Sequence, residues 1–192
     1  MNELLYRFAT WLDEQPASTG IHESIYLYSW IETTHVLTLM VFLGMLVIID
    51  LRMLGLAFTT VPASKIARHL DKPMLTGFIV MVITGVLLFY AIPVRTTHSL
   101  WFRIKVVFLI AACVNALLFR RAMQRSVGSW DTDARPPRRI RWGAGLSLSL
   151  WIGVIAFGRM IAYDWFDCHK VMPAFMLHVT GCVTELSGLE EP

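Results

Sequence analysis

The run Val36-Leu37-Thr38-Leu39-Met40-Val41-Phe42-Leu43-Gly44-Met45-Leu46-Val47-Ile48-Ile49 contains no charged residue. It lies inside a longer apolar stretch, 30–56. About 20 apolar residues suffice to cross the hydrocarbon core of a bilayer. Three more stretches of this kind follow, at 74–94, 100–119 and 144–163. Unbroken apolarity of this length predicts helices, because a strand in lipid needs alternation and a closed barrel. The expected fold is an all-α integral membrane four-helix bundle.

Composition agrees. Of 192 residues, 56% are hydrophobic and 16% are charged, and the mean hydropathy is +0.57. A soluble domain has about 45–50% apolar and about 25% charged residues. A disordered chain is excluded on this ground. No nucleic-acid partner is expected, since the net charge is only +3 and the basic residues sit between the apolar runs. Three cysteines cannot all pair with one another, so no disulfide framework builds the fold.

The basic residues set the direction of the spans. The loop after the first span carries Lys65, Arg68 and Lys72, with Arg52 at its edge. The loop after the third carries Arg120, Arg121, Arg125, Arg135, Arg138, Arg139 and Arg141. Outside these loops stand only Arg7, Arg95 and Lys170, apart from the cations within spans. The two basic loops are therefore placed in the cytoplasm, with both termini outside, as in a multi-pass protein of a bacterial inner membrane. The chain divides into an outer N-terminal segment (1–25), the four-span domain (26–163) and an outer tail (164–192). Glu3 stands where a secretory signal would be basic. Leu4, Leu5, Phe8, Trp11 and Leu12 share one helical stripe. They predict either an amphipathic helix in the outer interface or a surface helix packed on the bundle.

An ionisable group inside a span costs several kcal/mol and is a functional hypothesis by default. Glu32 and His35 share a face in the outer part of the first span. Lys105 lies shortly after the outer start of the third, and Arg159 shortly before the outer end of the fourth. His98 stands just above, in the short outer loop. All five converge on the outer leaflet. Helical bundles hold cofactors between facing helices. His35 suits the axial position of a haem b, with Glu32 or a backbone group orienting its second nitrogen. Lys105 and Arg159 suit the propionates, and His98 suits a sixth ligand. The same set also fits a quinone or another small ligand. It equally fits a buried ion-pair network joining Glu32 to Arg159 or Lys105.

Asp50, Arg52 and Asn115 form a second polar layer near the cytoplasmic side, read as structural, with Arg52 snorkelling to the interface. His69 lies on that side too. It is separated from His35 by most of a core about 30 Å thick, so the two cannot share a metal.

The runs Glu32-Thr-Thr-His35, Asp50-Leu-Arg-Met-Leu-Gly55 and Ala67-Arg-His-Leu70 resemble an uncharacterised family of small bacterial inner-membrane proteins. So do Thr84-Gly-Val-Leu-Leu-Phe89, Phe102-Arg-Ile-Lys105, Asn115-Ala-Leu-Leu-Phe119 and Gly158-Arg-Met-Ile-Ala-Tyr163. The resemblance covers about residues 25–163. The layout is more distantly similar to two four-helix groups, the haem-binding bacterial protoporphyrinogen oxidase and the copper-resistance D-type membrane domain. Both place a His early in the first span and an Arg near its far end, as His35 and Arg52 stand here. The oxidase group also has a Lys in the third span, where Lys105 stands. The resemblance implies a haem site. Around His35 and Arg52 the sequence departs from the oxidase pattern, and Arg120 replaces a His found after the Asn-Ala-Leu motif in relatives.

In the tail, Cys168 and Cys182 are expected on an oxidising side. They can close a disulfide loop of about 15 residues, worth about 3 kcal/mol by chain entropy. Alternatively Cys168, His169, His178 and Cys182 form a metal site, which Met172 and Met176 would tilt toward Cu(I). Three functions follow. The first is a haem b redox protein linking a membrane quinol to an outer-face redox partner. The second is a subunit or assembly factor of a larger membrane complex without its own cofactor. The third is metal or small-solute transport. The third has the least support, for there is no Gly/Pro-broken helix pair and no duplication.

Overall fold

The computed structural model describes residues 2–163, together with Pro173 and Phe175. Among the described residues there are seven α-helices and no strand. They are α1 (Asn2–Asp13), α2 (Pro16–Glu23), α3 (Ile25–Leu54), α4 (Ala63–Ala91), α5 (Pro93–His98), α6 (Leu100–Ser126) and α7 (Arg138–Ile161). The helices α3, α4, α6 and α7 are long and apolar enough to cross a membrane. The chain is an all-α four-helix membrane bundle, as its hydropathy predicts.

Local chemistry sets the helix ends. The Ser24 hydroxyl caps α3 by accepting from the Leu27 amide at 3.2 Å. Gly55 ends α3 at φ +72°, and the amides of Gly55 and Leu56 return to the Arg52 and Leu51 carbonyls. A side chain at Gly55 would also meet the Ala134 carbonyl oxygen at 2.9 Å from its Cβ, so both backbone and space require glycine. Two helices are longer than their apolar runs. α4 absorbs the preceding basic segment and continues through Pro73, forgoing one backbone bond. α6 runs on to Ser126, because leaving the hydrocarbon does not oblige a helix to end.

α3 packs along α4 and α7, and α7 packs along α6, whereas α4 and α6 approach closely at few positions. Near mid-bundle Phe42, Leu46, Met81, Ala112, Trp151 and Val154 form the larger core. Phe42 stands against Trp151 with ring centroids 4.8 Å apart. Near the basic loops Met53, Ala63, Trp130, Ile140 and Ala144 form a second core. Most of the remaining apolar side chains on the four long helices are exposed or half-buried, as lipid contact requires.

At the basic end Arg52 does not snorkel. It is 0% exposed. Its Nε donates to the Val61 carbonyl at 2.8 Å, and Nη2 donates to the carbonyls of Asp131 and Asp133 at 3.2 and 3.1 Å. The two basic loops thus fold over Arg52 and are tied together by it. The Asp131 carboxylate accepts from the Ser64 amide and hydroxyl, both at 2.7 Å, and so caps α4. Burial alone raises the Asp131 carboxyl pKa. The Ser64 bonds and the charges of Arg68 and Arg52 outweigh burial and hold it below 3.8. A depressed folded-state pKa contributes stability above the unfolded value and loses it as pH falls through the folded one. The melting temperature of the detergent-solubilised protein should therefore fall with acidification through the carboxylate range. It should converge there on that of Asp131→Asn, from which it differs at neutral pH.

At the other end, α1 packs through Ala9 and Tyr6 and leaves Leu4, Leu5, Phe8 and Trp11 exposed. Its apolar stripe is largely left exposed while the helix packs on α5. α2 is pinned where the Ser18 hydroxyl donates to the Tyr90 carbonyl at 2.7 Å.

Candidate functional site

The two ionisable side chains set furthest into the α5 half of the bundle are His35 and Lys105, and each lies against a glycine. His35 projects from α3 onto α4. Its Cε1 would stand 3.3 Å from a Cβ at Gly85. Lys105 projects from α6 onto α7, with Nζ and Cε 3.5 Å from where a Gly158 Cβ would be. Residue types without a side chain thus make the room for both polar groups.

Thr84 is the side-chain hydrogen-bond partner of His35. Nδ1 lies 2.9 Å from Oγ1 of Thr84. That hydroxyl has one proton, and it donates within its own helix, to the Val80 carbonyl at 2.8 Å with Met81 at 3.2 Å. With that proton on the Val80 carbonyl, Thr84 accepts from His35 and Nδ1 carries the hydrogen. The Met81 carbonyl is a further hydrogen-bond partner of the ring. In the neutral ring Nε2 is left with the lone pair. The charged side chain whose field acts on His35 is Lys105. Lys105 itself makes no hydrogen bond or ion pair among the described residues.

The other expected members do not join this pair. Glu32 is exposed on α3 and acts on Tyr28, one turn before it. Arg159 is exposed and folds along α7. It donates to the Tyr163 hydroxyl at 3.2 Å and lies over that ring at 5.1 Å. His98, at the end of α5, stacks on Tyr6 of α1 with centroids 5.6 Å apart. Among the described residues the ion pairs are Glu3–Arg7 and Asp71–Arg120, so the network joining Glu32 to Arg159 or Lys105 does not form. His69 is exposed on α4 near the basic loops. The tail residues Cys168, His169, His178 and Cys182 lie outside the described residues. Among the described residues no group of His, Cys, Asp and Glu is arranged to hold a metal.

Thr84, Gly85 and Gly158 are the members that residue-by-residue reading missed. A threonine or glycine in a span carries little hydropathy penalty and raises no flag. The one available signal was their place in the motifs Thr84-Gly-Val and Gly158-Arg-Met.

The aromatic surroundings complete the geometry. Phe89 of α4 stacks on Phe102 of α6 at 5.5 Å; Trp101 of α6 stacks on Phe157 of α7 at 5.9 Å, and Phe108 of α6 meets Phe157 edge-on at 5.1 Å. The site is therefore a donor–acceptor pair, one imidazole and one ammonium, set in an aromatic half-bundle.

No curated protein and no solved structure matches the chain. A family of unknown function, DUF6644, matches residues 20–164. That range holds all four spans together with His35, Thr84, Lys105 and Gly158. The chain belongs to the DUF6644 family.

Proposed function

We propose that this is a membrane redox protein in which His35 ligates the iron of a haem b through Nε2, in the half of the bundle next to α5. The observation that carries the reading is the Thr84 contact, which occupies Nδ1 and leaves Nε2 as the ring nitrogen for the iron. Histidine ligands to metals are commonly oriented in this way through their second nitrogen. Thr84, rather than Glu32, is the side chain that meets that nitrogen. Arg159, on the exposed rim, is the cation suited to propionates, which meet water there. Haem bound to His35 would supply a one-electron carrier. The excess of Lys and Arg in the other two loops supports an outward-facing α5 end with both termini outside. Such a site would exchange electrons with an outer-face redox partner or within a larger membrane complex.

The test is purification from cells supplied with ample haem. His35→Ala should lose the pigment outright. Thr84→Val, which removes the acceptor for Nδ1–H, should retain pigment with a lowered affinity, about 10-fold or more, and a shifted spectrum. Equal pigment in wild type and His35→Ala would contradict the assignment.

A further inference from the structure

At the basic end, the seam between α6 and α7 is flanked by exposed arginines on both helices. Its register is set where the Asn115 amide donates to the Gly143 carbonyl at 3.1 Å, and where a Cβ at Gly143 would lie 2.9 Å from Cδ2 of Phe119. Leu118 and Arg120 lie about 100° to either side of Phe119 around α6. Arg120 pairs with Asp71 of α4, so Leu118 stands on the flank away from α4. Trp142 and Ala144 flank Gly143 on α7 in the same way. Ala144 is buried in the core that Met53 of α3 enters, so Trp142 stands on the flank away from α3. Leu118 and Trp142 therefore share the outer face of the α6–α7 pair, and both are exposed. From Leu118 this face runs on to Arg121 and Arg125. From Trp142 it runs back to Arg139 and forward to Leu146, at spacings of three and four. All of these side chains are exposed.

We propose that this face binds an anionic phospholipid, with its phosphate among Arg121, Arg125 and Arg139 and an acyl chain along Leu118 and Leu146. Charge complementarity carries the assignment. Among the described residues the ion pairs are Glu3–Arg7 and Asp71–Arg120, so none of the three arginines has a carboxylate partner. Guanidinium groups meet phosphate oxygens as planar forks. On both helices leucine gives way to arginine within about two turns, where the acyl chains of a bilayer give way to its head groups. Trp142 stands at that boundary, where indole rings prefer to lie. A soluble anion would meet the arginines alone, whereas a lipid also covers the leucines. The site shares no residue with His35 or Lys105, so it does not rest on the redox reading.

The experiment uses the full chain in phosphatidylcholine vesicles. Phosphatidylglycerol or phosphatidylcholine with brominated acyl chains is the quencher of tryptophan fluorescence. The Trp142 share is read, in each background, as the difference made by Trp142→Phe. At equal mole fraction, brominated phosphatidylglycerol should reach Trp142 with about a tenfold preference or more over brominated phosphatidylcholine. Arg139→Gln should lower that preference about fivefold, the contribution of one basic residue at a membrane surface. Arg141→Gln removes the same charge from α7, about 200° round the helix from Arg139, and should leave the preference in place. Quenching by brominated phosphatidylcholine, the same in all backgrounds, shows that the variants are folded. Equal quenching of wild-type Trp142 by the two lipids overturns the proposal. An equal loss in Arg139→Gln and Arg141→Gln also overturns it, because the preference then belongs to the general field of the basic loops.

Discussion

Arg52→Ala is expected to lower the stability of the protein by about 3–5 kcal/mol, the cost typical of breaking a buried charged arrangement. The guanidinium is 0% exposed and serves the Val61, Asp131 and Asp133 carbonyls. Alanine leaves these acceptors without their donor in a closed site, where each unmet bond costs about 1–3 kcal/mol. It also unties the loop after α3 from the loop after α6, and so weakens the hold of Asp131 on the start of α4. Lysine should not rescue the variant, because one ammonium cannot reproduce a planar fork that reaches three carbonyls in two directions. Thermal unfolding in detergent should show both variants far below wild type. Arg138→Ala, which removes an exposed cation from the same basic region, should melt within a degree or so of it. If Arg52→Ala melts with Arg138→Ala, the lock is not structural.

Gly153→Leu is expected to disrupt the α6–α7 pair. A Cβ at this position would collide with Cδ1 and Cε1 of Phe108. The ring has little freedom to retreat, since it stands edge-on to Phe157 at 5.1 Å and packs against the mid-bundle core. Overpacking of this kind costs about 3 kcal/mol. Helix association within lipid depends on close backbone approach at small residues. Gly44→Leu is the matched control: nothing lies within 4 Å of a Cβ there, and the substitution should be tolerated. Aggregation or loss of the folded peak in size-exclusion chromatography for Gly153→Leu alone is the expected outcome. Equal behaviour of the two would mean that α6 and α7 do not meet at Phe108.

Much of this architecture is legible in the sequence because lipid imposes one dominant rule. Val36 to Ile49 must be helical, since the other backbone-satisfying structure in lipid, a closed barrel, needs alternating strands. The same rule hides helix ends that lie in water, so the continuation of α4 through Pro73 and of α6 to Ser126 leaves no hydropathy trace. His35 and Lys105 stand out because charge is costly in a span. Their depth follows from position along the helix. Their direction does not, because small errors in helix phase place a residue on the wrong face. Arg159 shares the depth of the site yet turns to Tyr163 at the surface. Arg52 reads as a snorkelling cation until the loops that bury it are in view, and contacts between segments 79 and 81 positions apart leave no local pattern. Thr84 is the most instructive omission. Its role comes from accepting one bond and donating another, and neither is visible to periodicity or hydropathy.

The central claim is that His35 offers Nε2 to a haem iron. The direct measurement is the difference between dithionite-reduced and air-oxidised absorption spectra of the wild-type protein, purified in detergent after expression with added haem precursor. A sharp α band with a shifted Soret peak, both absent from His35→Ala prepared in parallel, is the predicted result. A featureless spectrum from folded wild-type protein, or bands that persist in the variant, would contradict it.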